Sequence, residues 1–407
     1  MSAPVRYDLA IVGGGMVGAS LAVAVAPLGL SVALIEAVAP EAESQPSFDE
    51  RTTALSNGSR RILETIGVWP DIAAEATPIR RIHVSDRGRF GFARIDAAAQ
   101  GLTAMGHVVA NRVLGRSLWS ALRAHANVRV FCPAEVSAIT PLADEVALAV
   151  HGQRGDAAIE ARFIVAADGA QSMVRQAFGV AAEVRDYGQT AVITTVLPQR
   201  FHDHIAYERF TDSGPLALLP LADGRCTLVL TLSRALADAA LAWTDEQFLA
   251  ELQRRFGFRL GRFLKVGRRV AYPLSLTVAG RTSAGRCVII GNAAQGLHPV
   301  AGMGFNLGLR DVACLAELLA EHRGRADADA GLLAEYDAWR AADRRGIIGF
   351  TDGLVRVFAN PFEPVRQLRN LGLLAFDLLP PAKSALSALS SGASRRTPKL
   401  ARGVALT

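Results

Sequence analysis

Cysteine is scarce in this chain. The four residues Cys132, Cys226, Cys287 and Cys314 lie far apart in 407 positions, with no CxxC pair and no Cys/His cluster. That excludes a disulfide framework and a cysteine-based zinc site, and it suits a reducing, cytoplasmic compartment. Charge of one sign is also in short supply. A net charge of +6 is too small and too dispersed to recommend nucleic acid as a partner. There are no internal repeats, and the only compositionally biased piece is the Ser/Ala/Arg-rich tail at 382–407, which is expected to be disordered. The N-terminus carries no basic n-region or cleavage pattern of a secretory signal. A charge-free run does extend from Leu9 to Ile35, long enough to cross a bilayer. It is split by Gly13, Gly14 and Gly15 and again by Pro27 and Gly29, so it reads as strand, helix and strand rather than as a span.

What is present is apolar residue in quantity. Half of the chain is hydrophobic, enough for a large core, and the length points to two or three domains. "YDLAIV", the helix from Met16 to Leu28 and "SVALIE" form a compact βαβ unit with glycines at its first turn. A helix is expected from Arg112 to Ala126, and further strands in "VRVFC", "EVALAV" and "ARFIVAAD". From about Val184 to Gly280 short alternating segments such as "TAVITTV" and "RCTLVLTL" suggest an antiparallel sheet, interrupted by a helix near Trp243 to Phe256. Arg286 to Ile290 resumes the first sheet, and helices follow from about Phe305 to His322 and from Leu332 to Phe358. The resulting division is a discontinuous first domain at 1–183 and 281–345, an inserted sheet domain at 184–280, helices at 346–381 and the tail.

The turn "GGGMVG" fits GxGxxG: Gly13 for the tight turn, Gly15 for close approach to a pyrophosphate, Gly18 for helix packing. It follows a strand, opens a helix and is succeeded by Glu36 at the end of the next strand, placed to accept hydrogen bonds from an adenosine ribose. Fingerprints of this type serve NAD and FAD alike. Two later segments favour FAD. "VAADGAQSMVR" puts Asp168 and Gly169 at a strand end, and "GNAAQGLHPVAGMGFNLGLRD" follows another strand with five glycines set among polar residues.

At these residues the sequence resembles the FAD-dependent aromatic hydroxylases, the group A flavoprotein monooxygenases, and in particular their ubiquinone-biosynthesis branch. "FDERTTALS", "AYPLSL" and "HPVAGMGFNLGLRDV" extend the match over nearly the whole chain. The resemblance implies an α/β fold: a Rossmann-type FAD-binding domain with an inserted antiparallel-sheet substrate domain and a C-terminal helical region, like para-hydroxybenzoate hydroxylase. It also implies that FAD lies on Gly13, Gly15 and Gly18, with Glu36 on the ribose and Arg51 and Arg112 reaching the cofactor. Asp168 and Gly169 would lie near the pyrophosphate and the reduced nicotinamide donor; the alternative is that Asp168 caps the helix beginning near Gln171. Gly291, Asn292, Pro299, Gly302, Gly304, Phe305 and Asn306 would floor the flavin. Family members commonly carry Gly-Asp-Ala-Ala-His where this chain has Gly291, Asn292, Ala293, Ala294 and Gln295. Asn292 can hold a ribityl hydroxyl but brings no charge.

The implied reaction uses FAD, NAD(P)H or another reductant, and dioxygen, which together give a flavin hydroperoxide. "HVSDRGRFG", "YERFTDSGPLALLPLADGRC" and "FANPF" point within the branch to para hydroxylation of a 2-polyprenyl-6-methoxyphenol, giving the 1,4-benzoquinol. A sibling hydroxylase acting at another ring position, an isoprenoid reductase and a non-catalytic flavoprotein scaffold stay open. His298 is a candidate for chemistry, and His83, Tyr207 and Arg209 are polar candidates to take the phenol proton, although residues of these types more often serve the fold than the reaction. No metal set accompanies them.

A membrane-resident substrate calls for a route to the bilayer. Apolar clusters such as "LGLLAFDLL" punctuated by Arg356, Arg366 and Arg369, with Arg395, Arg396, Lys399 and Arg402 beyond, suit either interfacial contact or an ordinary helix packed on the core. Other ubiquinone-biosynthesis proteins are further candidate partners, and the inner face of the cytoplasmic membrane the expected location.

Overall fold

The computed structural model describes residues 4–406 apart from 43, 44, 46, 50, 154, 324–327, 361 and 393–395. Arg395 therefore lies outside the described residues. Strand Val5–Val12 is the hub of the first sheet, because its last four side chains are buried on both faces. It pairs in parallel with Val32–Ile35 on one side and with Ala157–Ala166 on the other, and the latter pairs in parallel with Cys287–Ile289. Register sets the strand ends level: Ile35 faces Val12, Val12 faces Ala166, and Ala166 faces Ile289. The residues that follow leave the sheet along one edge. Those residues are Glu36, Gly13, Ala167 and Ile290, each tied by a backbone hydrogen bond of 2.8–3.0 Å to the neighbouring strand end or, for Glu36, to Phe131. The carboxyl edge of a parallel sheet is where ligands bind in this architecture.

Helices Met16–Val25 and Met303–Glu321 cover one face of the sheet, and both are buried nearly all round. A helix hydrophobic on every side must lie between layers, and these two do.

The second sheet has nine strands, in the order 295–296, Val270–Ala279, Ala182–Pro198, Cys226–Ser233, Gly214–Pro220, Ile205–Thr211, Arg81–Asp86 and Phe92–Asp96, with Phe263–Val266 also on Ala182–Pro198. One face packs on helices Arg234–Ala242 and Asp245–Phe256 through Leu216, Leu218, Leu228, Leu230 and Phe248. The other face looks back toward the first sheet's carboxyl edge.

Two expected boundaries need correction. Arg81–Asp86 and Phe92–Asp96 do not belong with the first sheet; they complete the second, through a parallel pairing of Arg81–Asp86 with Ile205–Thr211. A parallel partner more than a hundred residues away leaves no local mark in sequence. The described residues of the tail from 382 are also structured. Pro380–Ser391 is a helix ended by Gly392 in the left-handed region, and Arg310 donates to the carbonyls of Leu389 and Ser390 at its end. Beyond it, Leu400 and Leu406 are buried in the main core. Two apolar anchors and a capped helix outweigh a composition that reads as loose.

Candidate functional site

A cavity of about 840 Å³ opens between the carboxyl edge of the first sheet and the free face of the second. Its first wall is the glycine turn. Gly13 has φ +102°, and a Cβ there would lie 2.4 Å from the carbonyl oxygen of Ala167, so only glycine fits. Gly15 lines the cavity and opens helix Met16–Val25, whose first turn has no acidic residue and no side-chain cap. Its free N–H groups form an anion site. Gly18 is elsewhere: a Cβ would stand 1.9 Å from the Gly13 carbonyl oxygen, so this glycine seats the helix on the turn and does not line the cavity.

Glu36 lines the cavity, and its carboxylate accepts from Gly14 N–H at 2.5 Å and Val38 N–H at 3.0 Å. The next strand end supplies Asp168 and Gly169, also in the wall. Asp168 Oδ2 accepts from Val174 N–H at 3.1 Å, which is the capping role, while Oδ1 is buried with no partner among the described residues. Burial raises the pKa of this carboxyl. One oxygen is thus committed to the fold and the other is open to a ligand.

The third strand end leads into the floor. Asn292, Pro299, Gly302, Gly304 and Phe305 line the cavity. The Asn292 side chain has no hydrogen-bond partner among the described residues. Ala301 and Gly302 both adopt positive φ, +62° and +60°, turning the chain sharply into helix Met303–Glu321. Asn306 holds this turn: its amide donates to Ala54 O and Gly302 O at 2.8 and 2.7 Å and its carbonyl accepts from Ser56 N–H at 2.8 Å. All its capacity facing that way is used, and neither Asn306 nor Gly291 lines the cavity. Gly291 instead donates its N–H to the buried Asp311 at 3.0 Å.

His298 is buried in this floor, and burial lowers its pKa to about 4. Nδ1 accepts from Val300 N–H at 3.1 Å, so the neutral ring carries its proton on Nε2, which has no partner among the described residues. The histidine lines the cavity and offers it a donor.

Arg51 reaches the cavity, paired with Asp49 at 2.6 Å and lying over the Tyr272 ring at 4.4 Å. Arg112 does not line it. Its half-exposed guanidinium lies 3.6 Å from Glu75, whereas Asn111, one residue earlier at the start of the same helix, lines the wall.

The free face of the second sheet supplies the opposite wall, through Ile193, Ala206, Glu208, Ala217 and Val229. Tyr207 lines the cavity too, with its pKa raised by burial. His83 and Arg209 do not. His83 is stacked with Phe92, its pKa lowered to about 4 by burial and then by Arg259, Arg94 and Arg209. Arg209 donates to Arg255 O at 3.1 Å and to Ser85. The residue missing from the sequence candidates is Glu208. Burial raises its pKa to about 7. In "YERF" a glutamate between a tyrosine and an arginine reads as the solvent face of a strand; only the second layer, which lies far off in sequence, turns that face inward. Among the described residues no cluster of acidic, histidine and cysteine side chains could hold a metal.

The chain matches the family model described as "FAD binding domain" over residues 6–351. It is 40% identical to the ubiquinone hydroxylase UbiL of Rhodospirillum rubrum, covering 98% of this chain and 93% of that protein. It is 34% identical to the 3-demethoxyubiquinol 3-hydroxylase of Escherichia coli over 90% of this chain and 94% of the relative. Among solved structures, p-nitrophenol 4-monooxygenase PnpA from Pseudomonas putida superposes with a TM-score of 0.80 at 19% identity, over 97% of this chain and all of the other, a likeness of fold. The cavity suits such a cofactor. It offers a glycine turn no Cβ could occupy, an uncapped helix start for phosphates, and Asp168 Oδ1 unpartnered.

Proposed function

Since this chain belongs to the FAD-dependent hydroxylases of ubiquinone biosynthesis, we propose that its substrate is a 2-polyprenyl-6-methoxyphenol, hydroxylated para to the phenol oxygen. Bound FAD would supply the redox chemistry that activates dioxygen, the source of the transferred oxygen atom. The protein's own residues bind, orient and keep water out. Gly13, Gly15 and the start of helix Met16–Val25 would hold the pyrophosphate, Glu36 the ribose, and Asp168 Oδ1 a hydroxyl or a phosphate-bound water. The turn at Ala301 and Gly302 would bring backbone N–H groups and the positive end of helix Met303–Glu321 under the ring, where charge develops.

The observation that carries the reading is the pairing of these two walls. A floor rich in backbone donors faces a sheet surface lined by Ile193, Ala206, Ala217, Leu219 and Val229, which is dry enough for an aromatic ring. A phenol bearing an ortho methoxy group is most electron-rich ortho and para to its oxygen, and the para carbon is open. The name of the E. coli relative favours a second reading, hydroxylation at ring position 3. Holoenzyme given reductant, isotopically labelled dioxygen and a short-chain 2-prenyl-6-methoxyphenol should place one labelled atom para to the phenol oxygen. Label at another ring carbon would support the sibling reading, and label from water alone would end both.

We further propose that the enzyme meets its substrate at the membrane surface. Helix Glu363–Leu378 is inverted: Arg369 and Asn370 bond inward to Asp86 and Asp377 accepts from Arg94 N–H, while Phe362, Leu368 and Leu378 are 64–70% exposed. Apolar residues turned outward beside Arg356 and Arg366 suit an interface. No helix among the described residues is long and apolar enough to cross a bilayer.

A further inference from the structure

The register of the second sheet sets five side chains in a row across the strands: Val84, Glu208, Ala217, Val229 and Ile193. Four are apolar and one is a carboxylate. Residues directly opposite on paired strands point to the same face, and Glu208, Ala217, Val229 and Ile193 all line the cavity. Two further residues fix which part of the cavity this is. Phe210, two along from Glu208 and therefore on its face, clusters with Val84 and with Val300, which belongs to the floor loop carrying His298 and Gly302. The carboxylate therefore stands on the wall facing that loop, away from the phosphate end at Gly13.

Among the described residues Glu208 makes no hydrogen bond or ion pair. Other carboxylates of the two layers have cationic partners: Asp86 has Arg369 at 2.7 Å, Asp352 has Arg185 at 3.0 Å, and Asp49 has Arg51. A carboxylate left without a partner in an apolar wall is costly to the fold unless something in the cavity answers it. The group that answers a carboxylate there is a hydrogen-bond donor on an otherwise apolar molecule.

We propose that Glu208 is a catalytic residue that binds the phenol hydroxyl of the substrate and accepts its proton. The phenol O–H bond breaks, a carboxyl O–H bond forms on Glu208, and the electron pair stays on the phenol oxygen, which activates the ring carbons ortho and para to it. The inference rests on the reading of this cavity as a phenol site. Burial also moves the carboxyl's pKa up to about 7, closer to that of a phenol near 10 than an ordinary glutamate would be, which favours shared and transferred protons.

The test uses FAD-loaded protein, with the flavin absorbance confirming that each variant is folded. 2-Methoxyphenol and its methyl ether, 1,2-dimethoxybenzene, are titrated against the flavin fluorescence. Wild type should prefer the phenol by at least about tenfold, and Glu208→Met should reduce the preference to about twofold. Glu208→Gln, which still accepts a hydrogen bond but not a proton, should keep much of that preference. In single turnover, with flavin reduced beforehand and mixed with oxygen, its hydroxylation rate should fall about a hundredfold, and Glu208→Asp should restore most of it. A Glu208→Gln rate within threefold of wild type would overturn the assignment while leaving the phenol reading intact. A wild type that neither prefers nor hydroxylates the phenol would overturn both.

Discussion

Gln295 donates its side-chain amide to Asp311 over 2.7 Å while its carbonyl accepts from Arg344 at 2.7 Å. At the position where related chains commonly carry histidine, a neutral amide thus links an acid and a base beneath the cavity floor. Asp311 is fully buried and also accepts from Gly291 N–H at 3.0 Å and Arg340 at 2.8 Å. Burial works against the charge on Arg340, but Asp311 and Asp343 outweigh it and raise its pKa.

That network gives a stability prediction. Asp311→Asn removes the charge opposite a buried arginine and should cost about 3 kcal/mol, the lower end for breaking a buried pair, because Arg340 keeps Asp343 at 2.6 Å. Gln295→Leu leaves Asp311 with its other two partners and should cost about 1–2 kcal/mol. Urea unfolding of the two variants should give that order. Equal losses would mean that the amide, rather than the charge, organises the floor.

Asn292 faces the cavity without a partner, so its substitution acts on what the cavity holds. Asn292→Asp adds a negative charge to the wall that contains Asp168 and disfavours electron uptake by bound flavin. FAD should stay bound, and the two-electron potential should fall by about 20–30 mV, the equivalent of roughly 1 kcal/mol. Spectroelectrochemistry of the two holoenzymes reads this directly. An unchanged potential, together with an unchanged rate of flavin oxidation, would remove Asn292 from the tuning of the cofactor.

The residues that could be read in advance are those whose neighbours are local. "YDLAIV" and its glycine turn declare a strand, a turn and a helix within twenty residues, and Asp168 and Asn292 follow strands in the same manner. What escaped depends on distant pairing. Arg81–Asp86 enters the second sheet through Ile205–Thr211, and only that pairing, with the layer facing it, turns Glu208 inward. A motif fixes a residue's place along a helix but not which side chain of the first turn meets the cavity, and here that is Asn111 rather than Arg112. In the tail, Leu400 and Leu406 are anchors too few to register in composition.

Three groups make the stability depend on pH, two of them against acid. His298 and His83 have pKa values of about 4 in the fold against 6.5 unfolded, so the unfolded chain binds more protons between those limits and stability falls as pH drops from 6.5 to 4. Glu208, raised to about 7 from 4.5, acts in the opposite sense: its contribution is present at low pH and is lost as pH rises from 4.5 to 7. The histidine contribution is up to about 3 kcal/mol for His298 alone. In His298→Asn the amide oxygen can still accept from Val300 N–H but does not titrate. This variant should lose less stability than wild type between pH 7 and pH 5, as measured by urea midpoints. A parallel loss in both proteins would mean that His298 is solvated.

The outward leucines of helix Glu363–Leu378 offer the sharpest separation of surface role from fold. Leu368 and Leu371 are 68% and 54% exposed, so Leu368→Ser with Leu371→Ser should change stability by less than about 1 kcal/mol. Neither touches the cavity. If this face meets a bilayer, losing two exposed leucines removes about 2–4 kcal/mol of apolar transfer, enough to weaken vesicle binding tenfold or more. Co-flotation with vesicles containing anionic lipid should therefore drop sharply, while turnover of a soluble phenol stays at the wild-type rate. Unchanged flotation would place the membrane contact elsewhere, and a parallel fall in soluble-substrate turnover would show that this leucine face serves the catalytic body rather than lipid.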